Sequence, residues 1–447
     1  MYVQRRFTLP FILPIASFAA AIFAGALLLW LTASVSFIDA FFTATSAVCV
    51  TGLASVDIGT VFSPFGHAVI LALVQLGGLG ITTYSTLIFY LASRRISLTD
   101  RLAVGDALLN DASFNLGTFL QRIVVVIFAL EICGAALLHA LDPERISPFA
   151  ALFIAVSAFC NAGFALWQDN LIHWRQSWPV TGVVMTLIVC GGLGFAVLDE
   201  LLRRVTLFCR KQPLPPLSFH ARLVLRTTAF LIITGTLLLM LPEYFANDAD
   251  PSSLPELVLP SLFQSVTART AGFNTVIISS LTDVSLLVLI LLMLIGGSPG
   301  SCAGGIKTTT FRVLIAFVYA HLRGRSQTVV NGKAVDAKTL NKTMLLVIFT
   351  LLTILAAVFA LALTEGGAAP HGKTPFQVLD LLFEAASAFG TVGLTTDVTP
   401  RLSTAGKLID CALMYVGRLG PIWLITTIQQ MQTEPRYQYP ERNLPIG

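Results

Sequence analysis

Long apolar runs alternate with short ones along this chain. Stretches of roughly 20 mainly apolar residues, the length a helix needs to cross a hydrocarbon core of about 30 Å, recur from Phe11–Thr32 to Leu408–Ile428. About eight such spans are predicted. Between them lie apolar or mixed runs of about 12 to 16 residues, too short to cross, among them Phe37–Val50, Phe149–Asn161 and Pro375–Thr391, each leading to a glycine. Non-helical backbone survives at membrane depth only where protein or a water-filled cavity surrounds it. A half-helix followed by glycine therefore predicts a re-entrant loop lining a pore.

Self-comparison gives the pattern its period. Aligning Gly52, Gly163, Gly272 and Gly393 brings SAVCVTGL, SAFCNAGF, VTARTAGF and SAFGTVGL into register. Phe42, Phe153, Leu262 and Phe383 stand ten positions before them. The glycines are 111, 109 and 121 residues apart, room for a helix, a re-entrant loop and a second helix per unit. A second glycine cluster follows each loop: Gly77-Gly78-Leu79-Gly80, Gly191-Gly192-Leu193-Gly194, Gly296-Gly297 and Gly417-Arg418-Leu419-Gly420. The expected fold is an all-α integral membrane protein of four helix, pore-loop, helix repeats around a central pore, with eight transmembrane helices and four half-helices. One membrane domain, residues 1–447, is expected, with repeats near 8–95, 118–208, 218–325 and 340–432 and a tail at 433–447. Two crossings per unit give every unit the same orientation. The second helix of repeat three is expected to break at Gly296-Gly297-Ser298-Pro299-Gly300 and on through Gly304, Gly305 and Lys307, since successive glycines and a proline interrupt a helix.

Composition agrees with lipid as the main solvent: 55% of 447 residues are hydrophobic and 12% charged. Arg5, Arg6, Arg94, Arg95, Arg203, Arg204, Arg210, Lys211, Arg323 and Arg325 fall on one predicted side. The positive-inside rule makes that side cytoplasmic, with both termini there, in a multi-pass protein of the plasma (inner) membrane. These bases need no nucleic-acid partner. Asp57, Asp169, Glu243, Asp248, Asp250, Asp283 and Asp397 occupy the opposite loops. The apolar run after Arg5 and Arg6 is long for a signal peptide, so a retained first helix is expected. Seven cysteines without a CxxC pair indicate neither a disulfide framework nor a zinc site.

A cation leaving water needs its hydration shell replaced, and rings of backbone carbonyls can do this if the strand is extended and approaches the axis closely. The filter is assigned to Val50-Thr51-Gly52, Asn161-Ala162-Gly163, Thr270-Ala271-Gly272 and Thr391-Val392-Gly393. The half-helix before each directs its partial negative end towards the ion. Asp57, Asp169 and Asp397 follow the filter glycines and either concentrate cations at the mouth or are simply solvated. Arg418 stands in a column of glycines and is costly inside a membrane. It is assigned to holding the glycine-rich loop of repeat three as a gate. Lys307 ends that loop, where interfacial anchoring is the preferred reading. Glu131 is expected to hydrogen-bond between helices, and Asp199 and Glu200 to lie at the interface. Gly304-Gly305-Ile306-Lys307-Thr308 is not a phosphate-binding loop, because glycine and lysine are not adjacent and no strand precedes them. No catalytic constellation suggests an enzyme.

These glycine columns, Ala268–Asn274 (ARTAGFN), Gly304–Phe311 (GGIKTTTF) and Gly417–Pro421 (GRLGP) resemble the Trk/Ktr/HKT potassium transporter superfamily over nearly the whole chain. Length and a tail with Tyr439-Pro440-Glu441 resemble the Ktr-type membrane subunit. The resemblance implies potassium uptake by a homodimer with one pore per protomer, regulated by a cytosolic nucleotide-binding ring of RCK domains. It implies potassium selectivity where all four filter positions are glycine, and a gate made of the intramembrane loop and Arg418. No tightly bound cofactor is implied. Potassium is the transported ion, with sodium as an activating or coupling ion or as a permeant rival. The membrane subunit of an ATP-driven potassium pump is a further alternative. Asp397 and the run Ser298-Pro299-Gly300-Ser301-Cys302 depart from the superfamily's pattern.

Overall fold

A computed structural model describes residues 4–78, 116–246, 254–366 and 374–420. Leu79, Gly80, Arg94, Arg95, Asp248, Asp250, the last predicted span beyond Gly420 and the tail lie outside the described residues. Each of four repeats opens with a long helix: α1 (Gln4–Thr32), α5 (Leu116–Leu141), α9 (Phe219–Ala246) and α13 (Ala337–Glu365). These contain apolar windows of mean hydropathy 1.9 to 2.9. At 1.5 Å per residue, 29 residues reach over 40 Å, enough to span with some tilt. Their outward faces, with Leu31, Ile132, Ile233 and Leu355 at 60 to 67% exposure, suit lipid.

A short pore helix follows in every unit: α2 (Phe37–Cys49), α6 (Pro148–Cys160), α10 (Leu254–Thr267) and α14 (Val378–Gly390). Thirteen or fourteen residues make about 20 Å, which reaches only partway through a bilayer. Their first turns are tied down locally. Ser36 Oγ accepts from the Asp39 amide, Ser147 Oγ accepts from the Ala150 amide, and Asp380 accepts from the Gln377 amide. Phe42, Phe153 and Phe383 are fully buried as their spacing predicts. In repeat three the buried ring is Phe263, one residue after Leu262, in a helix that also carries Pro260.

The second helices are α4 (Pro64–Gly78), α7 (Trp178–Gly192), α11 (Asp283–Leu294) and α15 (Thr404–Leu419), preceded in repeat one by the single turn α3 (Ile58–Val61). Each packs on the pore helix of the next repeat: α4 on α6, α7 on α10, α11 on α14, and α15 back on α2. That last contact closes the ring. The chain is thus an all-α membrane protein of four pore-loop repeats around one axis.

Repeat three is interrupted as expected, resuming at α12 (Thr308–Leu322). Repeat two is interrupted as well, which the expected helix, pore-loop, helix unit did not include. After Gly192 its second helix turns by 115° into α8 (Phe195–Cys209). Gly194 makes the turn at φ +89°, ψ +142°, a conformation that a side chain disfavours. A two-residue hairpin, β1 (Val329–Val330) with β2 (Lys333–Ala334), joins repeats three and four.

One ion pair staples the ring shut. Lys407 Nζ lies 2.7 Å from Asp39 Oδ1, across 368 residues of chain, and both side chains are more than four-fifths buried. Asp39 also accepts from Ser36 and Ser55 hydroxyls at 2.6 and 2.7 Å. Lys407→Met leaves that carboxylate without its cation. We expect it to lose about 1 to 3 kcal/mol in thermal or denaturant unfolding in detergent, and Lys407→Met with Asp39→Asn to recover part of the loss.

Candidate functional site: a ring of four filter loops

A left-handed residue follows every pore helix, and in repeats one, two and four it closes the helix in the same way. Val50, Asn161, Thr270 and Thr391 adopt left-handed φ of 56°, 60°, 75° and 53°. In repeat one the Val50 amide donates to Ala47 O at 3.1 Å and the Thr51 amide to Ser46 O at 2.8 Å. Asn161 and Ala162, and Thr391 and Val392, repeat the pair. This is a Schellman closure, normally made by glycine. Three of the four residues here are β-branched, and the conformation costs each about 1 to 2 kcal/mol, so the surrounding packing must hold it.

Four filter glycines follow, at φ +97°, +70°, +78° and +97°. The filter is therefore not the plain extended strand that the sequence predicts. A left-handed residue and a positive-φ glycine flank one ordinary residue, because the chain must reverse from a helix end and still pass close to the axis. Ser46 and Ser387 hydroxyls accept the amides of Gly52 and Gly393 at 3.0 and 3.1 Å. The loop amides are thereby drawn back into their own pore helices. Among the described residues the carbonyls of Thr51, Ala162, Ala271 and Val392 accept no hydrogen bond.

The glycines also meet each other. A methyl group on Gly52 would strike Ala162 O, one on Gly163 would lie 2.7 Å from Ala271 O, one on Gly272 would strike Val392 O, and one on Gly393 would strike Thr51 O. The order runs once around the four repeats and closes. On Gly163 the same methyl would lie 2.8 Å from the Gly272 α-carbon. The four assigned segments thus converge on one constriction of main-chain atoms, with carbonyl oxygens free to replace water around a cation.

In repeats one, two and four, glycines of the second cluster bring the second helix onto its pore helix. A methyl on Gly77 would strike Val48 O, on Gly191 Phe159 O and on Gly417 Phe389 O. Each target is the penultimate residue of its own repeat's pore helix. Glycine here lets the second helix touch the pore helix backbone to backbone, which fixes the depth of the filter.

Below the ring the repeat-three loop is folded, not slack. Ile295 and Ile306 form a parallel bridge, with the Gly296 amide donating to Ile306 O at 2.8 Å. The Ser298 amide donates to Gly192 O at 2.9 Å, the Cys302 amide to Gly191 O at 3.2 Å, and the Phe195 amide to Gly300 O at 3.0 Å. The Thr308 amide donates to Gly297 O at 3.1 Å. Gly304 presses on Gly390 and Thr391, where a methyl would lie 3.1 Å from Gly390 O, and Gly305 takes φ +63°. The loop therefore lies against the filter loop of repeat four.

Arg418 is 7% exposed and donates from its two terminal nitrogens to Cys302 O in the loop and Gly77 O in repeat one. One guanidinium thus joins repeats one, three and four. Lys307 does not anchor at an interface: its Nζ folds back to Ala303 O at 2.6 Å, inside the loop. The mouth acids are structurally engaged. Asp57 caps α3 through the Gly59 amide and Thr60 hydroxyl, and Asp397 accepts from the Ser279 hydroxyl at 2.8 Å. Glu131 approaches the Cys160 thiol at 3.8 Å, and Asp199 pairs with Arg122 and Arg203 at 3.4 and 2.7 Å.

Sequence reasoning missed three buried charges in this region. Arg269 ends the column that Cys49, Cys160 and Gly390 occupy in the other repeats and is 6% exposed. Glu384, fully buried, accepts from Thr395 at 2.7 Å and from Thr399, holding the segment after the repeat-four filter. Asp410 is fully buried in α15. Each is a charge in an otherwise apolar periodic run, the signal that singled out Arg418.

The family model for TrkH, cation transport protein, matches residues 2–437. Ktr system potassium uptake protein B of Bacillus subtilis is 37% identical over 99% of this chain and 97% of its own length. Potassium/sodium uptake protein NtpJ of Enterococcus hirae is 33% identical over 93% and 90%. Among solved structures, the potassium transporter TrkH from Vibrio parahaemolyticus matches the fold with a TM-score of 0.70 at 17% identity, covering 93% of this chain and 84% of that one.

Close packing of the second glycine column is testable without any ion. Gly417→Ala should cost about 1 to 3 kcal/mol through overpacking against Phe389. Gly182→Ala, which meets nothing within 4 Å, should be neutral or stabilise α7 by up to about 1 kcal/mol. Thermal denaturation of the two variants in the same detergent reads the difference.

Proposed function

The chain belongs to the TrkH family of cation transport proteins, and from that premise we propose that it is the ion-translocating subunit of a potassium uptake system. K+ passes through the four-loop ring by exchanging water for carbonyl oxygens of Val50-Thr51-Gly52, Asn161-Ala162-Gly163, Thr270-Ala271-Gly272 and Thr391-Val392-Gly393. The observation that carries the reading is the cyclic contact of Gly52, Gly163, Gly272 and Gly393, each against a carbonyl of the next repeat. Four glycines leave the axis to main-chain oxygens, which suits a cation that binds by desolvation and leaves again.

The loop from Gly296 through Lys307 acts as the gate, latched by Arg418. A guanidinium at the same depth as permeating cations repels them, and its bonds to Cys302 O and Gly77 O hold the loop in place. Opening requires those bonds to be exchanged for others. The Ktr resemblance extends the proposal to a homodimer in the plasma membrane, with cytoplasmic termini and a cytosolic RCK-type nucleotide-binding ring as the regulator. The similarity to a potassium/sodium uptake protein supports one second reading, in which sodium also permeates or activates.

Cation flux into proteoliposomes tests both parts. Potassium and rubidium should enter several-fold faster than sodium and lithium. Gly52→Ser should erase most of that preference, and Arg418→Ala should raise potassium flux several-fold. Sodium entering as fast as potassium in the parent protein would remove the selectivity, and unchanged or slower flux in Arg418→Ala would remove the latch.

A further inference from the structure

The helix that bends away after Gly192 is amphipathic, and its apolar stripe outruns the protein. Phe195, Val197 and Leu198 are buried at its start. Leu201, Leu202, Val205 and Phe208 continue the stripe at helical spacing, yet Val205 is 58% and Phe208 72% exposed. The opposite face and the residues just beyond carry Arg203, Arg204, Arg210 and Lys211, of which Arg203, Arg210 and Lys211 are exposed. The acids of this helix are already used: Asp199 pairs with Arg122 and Arg203, and Glu200 accepts from the Ser218 amide and hydroxyl at 2.7 and 2.6 Å.

A helix turned 115° from the apolar α7, itself apolar on one side and basic on the other, has the build of an interfacial helix. Its charge assigns it to the cytoplasmic leaflet, whose anionic headgroups attract each nearby Lys or Arg by about 1 kcal/mol. We infer that α8 is a docking surface for anionic phospholipid, with Val205 and Phe208 in the acyl boundary and Arg210 and Lys211 at the headgroups.

The same helix is bonded to the intramembrane loop. Its first amide, on Phe195, donates to Gly300 O, and the two residues before its turn accept from Ser298 and Cys302. Gly194 fits so closely that a methyl there would lie 2.6 Å from Pro299 O. Glu200 meanwhile fixes the middle of α8 to the start of α9. A lipid that draws the outer half of α8 into the membrane plane therefore pulls on the segment carrying the Arg418 acceptor, Cys302. Lipid charge becomes an input to flux.

Quenching in proteoliposomes reads the docking directly. Full-length Phe208→Trp is reconstituted in phosphatidylcholine containing a spin-labelled lipid, either phosphatidylglycerol or phosphatidylcholine, at equal mole fraction. The added tryptophan should be quenched by both and more by the anionic one, and Arg210→Gln with Lys211→Gln in the same background should make the two equal. Equal quenching before those changes would overturn the anionic preference. No quenching above the parent background would overturn the docking itself and leave the face to a second copy or a cytosolic partner. The link to flux rests on the transport reading and is measured separately. Parent flux should differ several-fold between vesicles with and without phosphatidylglycerol, and the Arg210→Gln/Lys211→Gln variant should show little difference. A parent flux indifferent to lipid charge would overturn the coupling, whereas absent flux with intact quenching would count against the transport reading alone.

Discussion

Main-chain carbonyls held at membrane depth without hydrogen-bond partners are the constraint on which the rest of this structure depends. Such groups are costly in lipid, and the protein meets the cost by packing the four segments against one another within the ring of repeats. The pore helices stop partway because their C-terminal ends must face that axis. In repeats one, two and four a Schellman closure takes up two loop amides, and the carbonyls of Thr51, Ala162, Ala271 and Val392 accept no hydrogen bond among the described residues. Left-handed Val50, Thr270 and Thr391 are the strained residues that this geometry requires.

Glycine serves two separate contacts around that constraint. In the filter it lets four backbones approach one another around the axis, and in the second column it lets a crossing helix touch a pore helix at its penultimate residue. The two contacts lock depth and diameter together, since shifting the second helix would carry the pore helix and its loop along. The Asp39–Lys407 pair then closes the circle between the first and last repeats. Repeat symmetry is therefore a packing requirement here, because each unit's second helix is the wall of the next unit.

The largest departures from repeat symmetry lie in the second helices of repeats two, three and four. The loop of repeat three is tied by main-chain bonds to the bend of repeat two and by Arg418 to repeats one and four. Buried arginine is costly unless its donors are satisfied, and carbonyl oxygens at Cys302 and Gly77 satisfy two of them without neutralising the charge. Carbonyl acceptors hold a guanidinium less firmly than a carboxylate partner would.

Composition and spacing alone carried the solvent, the four-fold repeat and the column of four glycines that converge on one axis. Those are properties of composition and spacing: apolar runs long enough to cross, short runs that cannot, and glycines at a common offset. Arg418 was legible because a charge in an apolar glycine column has few bland explanations, and Glu384, Asp410 and Arg269 carried the same signal. How these features meet came from the packing of the folded chain. That the second helix of repeat two turns into α8, that Gly77, Gly191 and Gly417 touch pore-helix carbonyls, and that Lys307 folds into its own loop all depend on neighbours one or more repeats away. Local spacing reports which residues share a helix face. It carries no term for the distance between two backbones, and in this protein that distance sets the pore.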